Sequence, residues 1–147
     1  MEYQMLSSID TVTYLEKQSI VDFLYEHLDA YRDKKDNILK ALDYAVSDFV
    51  HQGGFVMLAK DDDEILGAVV MNKTGMEGYI PENVLVYVAT HRDYRNQGIA
   101  RELLNRSIKM ANGDIALHIE PDNPAINEFK RAGFIKKYIE MRLYKHK

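Results

Sequence analysis

The residues whose types and spacing could do chemistry are Arg95-Asn96-Gln97-Gly98-Ile99-Ala100. An apolar run, Val84 to Ala89, feeds a polar turn just before them. A helical pattern follows, with Ile99, Leu103, Leu104, Ile108 and Ala111 on one side. The order is strand, turn, helix, with a glycine at the turn-to-helix junction. The first backbone N–H groups of a helix have no internal partner. The aligned peptide dipoles put partial positive charge at the same end, and together they suit phosphate. Gly98 presents no side chain to an approaching anion, and Ala100 only a small one. Arg95 and Arg101 add full charge at the two edges. The plainer alternative is a glycine turn that does no more than start a helix.

The elements that must hold this turn follow from periodicity. Met1 to Ile9 reads as a first strand. Thr13-x-x-Glu16 is a capping box, and its helix runs to about Ala30 with Ile20, Phe23, Leu24 and Leu28 on one side. Tyr31 to Asp36 is a charged link. Asn37 would cap a second helix, with a buried stripe of Ile38, Leu42, Ala45, Val46 and Phe49, and Gly53-Gly54 ends it. Phe55 to Lys60 and Glu64 to Met71 make a hairpin around the polar turn Asp61-Asp62-Asp63. Asn72 to Pro81 is a loop, with Pro81 at the start of the strand that feeds the central turn. Asn112-Gly113 stops the central helix. Ile115 to Glu120 is the next strand. Asp122-Asn123-Pro124-Ala125 then opens a short helix with Ile126 and Phe129 on its apolar side, ended by Gly133. Phe134 to Tyr138 and Ile139 to Tyr144 read as antiparallel strands. This order predicts an α/β (α+β) fold, a mostly antiparallel mixed sheet with one parallel pair.

A length of 147 residues suits one domain, 1–147, with a real core. The absence of cysteine excludes a disulfide framework, a cysteine-ligated zinc and a cysteine nucleophile, and it suits a reducing compartment. The N-terminus lacks the pattern of a signal peptide, and no apolar run reaches the roughly 20 residues of a membrane span. The expectation is a soluble, cytoplasmic protein with no membrane partner. Residues 1–90 hold seven Lys and Arg against sixteen Asp and Glu, a net −9, and residues 91–147 hold twelve against seven, a net +5. The basic portion fits a polyanionic ligand, and the acidic portion could favour a cationic acceptor. Ordinary solvated faces would give the same counts. Nucleic acid is not expected, because no basic run is interleaved with aromatics. Nor is a metal. The three adjacent aspartates lack EF-hand spacing, and His27, His51, His91 and His146 lack ligand spacing.

Tyr94-Arg95 leading into Asn96-Gln97-Gly98-Ile99-Ala100 resembles the acyl-CoA motif of the GNAT superfamily of N-acyltransferases, Gln/Arg-x-x-Gly-x-Gly/Ala. Arg95, Gly98 and Ala100 fill its slots. A second block, Asp122 to Phe134, looks like the family's Asn-x-x-Ala-…-Tyr-x-x-x-Gly-Phe segment, with the asparagine at Asn123, one place later than usual. The resemblance implies the GNAT fold, with the parallel pair splayed and helices on both faces. It implies acetyl-CoA as donor and a primary amine, on a small molecule or peptide, as acceptor. The cofactor contacts it implies are Val88, Ala89, Thr90, Arg95, Asn96, Gln97, Gly98, Ile99, Ala100, Arg101, Asn123 and Phe129. The resemblance makes Tyr25, Asp29, Tyr31 and Asp33 candidate acceptor contacts, although each reads more simply as a surface or half-buried helix residue, and it brings the expectation of a homodimer, common among relatives.

The catalytic reading is thinner. No Ser–His–Asp or Cys–His arrangement is visible, which fits direct attack by the amine. An N–H at Val88 would stabilise the thioester oxygen. The strand before the turn carries no acid, though Glu82 stands at its beginning. His118 and Glu120, two apart on a strand, would share a face, and histidine titrates near neutrality. A lone histidine on a strand is more often structural, and proton removal through ordered water is an equal alternative. Phe129 fills the slot where many relatives have a proton-donating tyrosine, and it cannot donate. A thiol of pKa about 8.5 makes thiolate release at neutral pH cost only roughly 2 kcal/mol. Tyr138 or Tyr144 could supply the proton. A non-catalytic acyl-CoA-binding or sensor module is the alternative. A different nucleotide-binding protein fits less well, since neither a dinucleotide nor a P-loop glycine pattern is present.

Overall fold

Thr13 starts the first helix as its spacing predicts: its Oγ1 accepts the Glu16 N–H at 3.1 Å. The computed structural model describes residues 1–146. Its elements are β1 (Glu2–Leu6), α1 (Tyr14–His27), a 3-10 turn (Asp29–Tyr31), α2 (Lys35–Ala45), β2 (Gly54–Asp61), β3 (Glu64–Lys73), β4 (Asn83–Thr90), a second 3-10 turn (Arg92–Tyr94), α3 (Ile99–Met110), β5 (Ile115–Leu117) and α4 (Ile126–Arg131). The five strands lie in sequence order. The first four are antiparallel, and β4 and β5 are parallel.

Strands β2 and β3 are buried through their middles, because helices cover both faces of the sheet. Alternate residues point to opposite faces. Val56, Leu58, Ala68 and Val70 meet α1 and α2 through Ile20, Leu24, Ile38 and Leu42. Phe55, Met57, Val69 and Met71 meet α3 and α4 through Ile99, Leu103, Leu104 and Phe129. Gly67 sets how closely α3 sits on β3. A Cβ there would lie 2.6 Å from Leu103 Cδ1 and 2.9 Å from Ile99 Cγ2.

Four expectations need correction. The second helix begins at Lys35 with Lys34 as its cap, not Asn37. Asp33 explains this: its Oδ1 accepts the Lys34 N–H and the Asn37 amide, so Asn37 is drawn into the first turn. That helix ends at Ala45, which leaves Val46 half-buried and Phe49 71% exposed. β5 stops at Leu117 rather than Glu120, since the Asn123 N–H returns to the Glu120 carbonyl and the chain turns ahead of α4. Finally, residues 134–144 form no strand. After Gly133 (φ 109°) the Phe134 N–H closes on the Phe129 carbonyl. Beyond it, residues 135–146 are exposed and form neither helix nor strand.

Candidate functional site

β4 and β5 pair only over Asn83–Leu85 and Ile115–Leu117, so beyond Leu85 the side of β4 that faces β5 is open. The cause is visible in the other ladder. Val70 pairs with Tyr87 but Met71 with Leu85, which makes Val86 an extra residue in β4. A bulge of this kind bends the strand that carries it. The His91 N–H donates to the Leu66 carbonyl at 2.8 Å. In an antiparallel ladder the bonding direction alternates, so Tyr87, Ala89 and His91 turn their backbones to β3. Val88 and Thr90 turn theirs into the fork. Ala89 therefore offers the fork no backbone N–H.

The turn at the top of β4 is held from within. His91 Nδ1 accepts the Asp93 N–H at 3.2 Å. Asn96 and Gly98 take left-handed φ values of 64° and 84°. Gly98 caps α3 with no side-chain hydrogen bond, and the first internal bond runs from the Glu102 N–H to the Gly98 carbonyl. The amides of Ile99, Ala100 and Arg101 thus lie in the unpartnered first turn. Ile99 anchors that turn at 3% exposure, while Asn96, Gln97 and Gly98 are exposed. A Cβ at Gly98 would meet nothing within 4 Å. The cradle is open, and glycine is required there for its backbone angle.

The two arginines part company. Arg101 is exposed, 3.9 Å from Glu128. It lines a cleft of about 150 Å³ between α3 and α4, together with Leu104, Asn105, Glu128, Arg131 and Ala132. Arg95 does not face the cradle. Its guanidinium bonds Asp29 Oδ2 at 2.7 Å, the His27 carbonyl at 2.9 Å and the Thr90 carbonyl at 3.2 Å. Asp29 also receives Arg92 at 3.1 Å, and the hydrogen bond from Arg95 holds its carboxyl below the usual carboxylate range. Sequence spacing missed this brace between the end of α1 and the turn. His27 belongs to it: Nδ1 accepts the Arg92 N–H at 3.1 Å, and the ring stacks on His91 at 4.2 Å. Burial, then the neighbouring His91, holds His27 below its ordinary pKa and so neutral.

In the second block, Asn123 Oδ1 accepts the Ala125 N–H at 2.9 Å and shapes the entry to α4. Phe129 is buried against Phe134, ring centres 5.7 Å apart, and offers no polar atom. His118 and Glu120 lie beyond the end of β5 and are exposed, so the shared strand face expected of them is not formed. Glu82 is a clasp: its carboxylate accepts the Asp114 N–H at 2.6 Å and the Gly78 N–H at 3.0 Å. Those bonds hold it below its usual range. Tyr138 is 87% exposed on the C-terminal segment and Tyr144 67%.

On the other side of the sheet the site gains a residue not singled out beforehand. The Tyr87 hydroxyl donates to Asp33 Oδ2 at 2.8 Å. Burial, and then this bond, keeps the phenol protonated far above its ordinary pKa. A tyrosine inside an otherwise apolar β4 run was the available signal. Asp33 lines a surface hollow with Tyr25, Arg32, Lys34 and Lys35. Tyr31 donates to the Asp122 carbonyl at 3.2 Å, which ties the α1–α2 link to the β5–α4 loop. Asp29 is paired with two arginines, and Asp33 with a tyrosine and amide donors, so neither presents a free carboxylate.

The sequence profile described as "Acetyltransferase (GNAT) family" matches residues 16–134. The chain belongs to the GNAT acetyltransferase family. N-alpha-acetyltransferase 30 of Schizosaccharomyces pombe is 32% identical over 109 residues, covering 70% of this chain and 71% of that protein. Among solved structures, the ribosomal-protein-alanine N-acetyltransferase of Brucella melitensis biovar Abortus superposes with a TM-score of 0.66 at 13% identity, over 100% of both chains. An aminoglycoside acetyltransferase from an uncultured soil metagenomic sample, solved with sisomicin, gives 0.63 at 13% identity over 99% of this chain and 96% of that one. At these identities the superpositions speak for the fold. The forked β4–β5 pair and the α3 cradle are therefore features of a GNAT acetyltransferase, a family whose donor is acetyl-CoA. The residues present fit that donor, since the open Gly98 cradle leaves the phosphate side unobstructed. Among the described residues, no group of three His, Asp or Glu could hold a metal.

Proposed function

We propose that this GNAT chain is a single-domain, cytoplasmic enzyme that moves the acetyl group of acetyl-CoA to a primary amine by direct attack within a ternary complex. The observation that carries this reading is the continuity of fork and cradle: Val88 turns its N–H into the fork, and ten residues on Gly98 opens the α3 amides to solvent. The pyrophosphate would lie on the amides from Asn96 to Arg101. Pantetheine would run down the open edge of β4, along Val88 and Thr90. The amine nitrogen attacks the thioester carbon, and the carbonyl oxygen gains charge against the Val88 N–H. The C–N bond forms as the C–S bond breaks. Coenzyme A leaves as thiolate, at a cost of roughly 2 kcal/mol, since Phe129 cannot protonate it. The amine's proton leaves by ordered water or through His118, the first residue after the paired part of β5, with Glu120 two residues further. The acceptor enters between Tyr31, Tyr87 and the β5–α4 loop. The name of the 32% identical relative makes a peptide α-amine the first acceptor to try, ahead of small-molecule amines.

The test is release of free coenzyme A thiol from acetyl-CoA over a panel of peptide N-termini, polyamines, aminoglycosides and amino acids. At least one amine should support turnover, and acetyl-CoA at about 100 times its dissociation constant should stabilise the fold by about 2.7 kcal/mol. Gly98→Glu, which fills and charges the cradle, should abolish both. Phe129 favours a second reading, an acyl-CoA-binding module. Stabilisation by acetyl-CoA without turnover on any amine would establish that module and sink the enzyme.

A further inference from the structure

The end of α1 grips the turn above β4 through a side chain that can gain a charge. His27 closes α1, and His91 follows β4. Their rings stack with centres 4.2 Å apart. Phe23 lies 4.7 Å from His27, and Tyr94 meets His91 edge-on at 5.1 Å. Each imidazole holds one amide of the 3-10 turn. His27 Nδ1 accepts the Arg92 N–H at 3.1 Å, and His91 Nδ1 accepts the Asp93 N–H at 3.2 Å. A ring nitrogen accepts only while it carries no proton, so the neutral His27 ring keeps its hydrogen on Nε2. A proton arriving at Nδ1 would face the Arg92 N–H donor to donor. It would also add positive charge where that sign is already dense. Arg92 and Arg95 of the turn and the His91 ring stand against His27. The acids nearby are Glu26 on α1 and Asp29 just beyond it, and both are engaged by these arginines. Burial, and then His91, disfavour the charged ring. The folded chain therefore binds this proton less readily than the unfolded chain. The stability tied to it is complete above the ordinary histidine pKa of about 6.5 and is lost as pH falls through the lower folded value.

We propose that His27 is a positioning residue for the donor turn: its uncharged ring fixes the Arg92 amide, and its protonation releases the turn and weakens acetyl-CoA binding. This role depends on the reading of the Gly98 turn as the acetyl-CoA cradle. The path between them is short. Arg92 lies six residues before Gly98, and Arg95 between them is tied to the His27 carbonyl at 2.9 Å and to Asp29 at 2.7 Å. A ligand held by the ordered turn and a proton held by the released one oppose each other by linkage.

Two variants separate the acceptor from the packing. In His27→Asn the side-chain oxygen stands where Nδ1 does and accepts the amide, but takes up no proton in this range. In His27→Phe the ring stays on Phe23 and His91, and the acceptor is gone. Calorimetry with acetyl-CoA at about pH 7.5 and about pH 5 spans the titration. The ligand's own phosphate titrates at about pH 6. It does so alike with all three chains, so the native affinity is read relative to His27→Asn at each pH. That ratio should fall about fivefold from the higher pH to the lower. His27→Phe should bind several-fold more weakly than His27→Asn at both. Heteronuclear NMR spectra of the imidazole nitrogens, recorded without ligand, should show the native His27 with its proton on Nε2 at neutral pH and a charged ring at the lower pH. A ratio that does not change with pH overturns the role. So does a His27→Phe chain that binds as well as His27→Asn, or a neutral ring with its proton on Nδ1. A native chain that binds no acetyl-CoA at neutral pH overturns this role together with the donor reading, whereas binding with an unchanging ratio overturns this role alone.

Discussion

Arg95 flanks the cradle in the linear sequence, yet its charge is spent elsewhere. Asp29 sits at φ 55° at the end of α1 and takes Arg95 and Arg92 on its two carboxylate oxygens. The pair is half-exposed, and such pairs contribute little to stability. Its consequence is positional: it fixes the turn against the end of α1. Asp29→Asn keeps a residue that tolerates the left-handed backbone and removes the charge that holds both arginines. The expected outcome is a melting temperature close to the native one, with the dissociation constant for acetyl-CoA raised several-fold by calorimetry. Tighter binding would show instead that Arg95, once released, is itself a phosphate ligand. Spacing revealed that an arginine stood beside the turn. Which carboxylate it would find, 66 residues away, was not available from the chain.

At the scale of elements, β4, the turn and α3 were legible because each is specified locally. An apolar run, a glycine at positive φ and a stripe at helical spacing need no distant partner to be recognised. β5 and the C-terminal segment were misjudged for the opposite reason. A strand exists through the edge it pairs with, and alternation in residues 139–144 says nothing of whether its own sheet supplies one. The bulge at Val86 that opens the fork was likewise invisible, being a matter of register between two strands. α3 offers a direct test of how elements place the cradle. Gly67→Ala would set a Cβ against Leu103 and Ile99 and lift the helix from β3. Overpacking should cost about 1–3 kcal/mol in urea unfolding. Acetyl-CoA affinity should fall as well, because the lifted end is the one that bears the cradle. Unchanged affinity at reduced stability would mean that the turn holds its shape without α3.

The whole molecule has two cores back to back on one sheet, and they have different consequences for function. Leu42 on α2 and Leu103 on α3 are both fully buried, one in each core. Leucine-to-alanine changes at such sites cost about 2–5 kcal/mol through lost transfer energy and the cavity left behind. By unfolding alone, Leu42→Ala and Leu103→Ala should look alike. Their ligand behaviour should differ. Leu103 lies one turn along from Ile99 and underpins the proposed donor cradle, whereas Leu42 packs between α2 and the sheet on the proposed acceptor side. Measured well below the melting temperature, Leu103→Ala should weaken acetyl-CoA binding while Leu42→Ala leaves it near the native value. With a turned-over amine, Leu42→Ala should instead raise the KM for that amine. If both variants weaken acetyl-CoA equally, the sheet transmits the disturbance and the two faces are not separate functional layers. If neither does, the cradle is held by the turn and the Asp29 brace, and the cores serve stability alone.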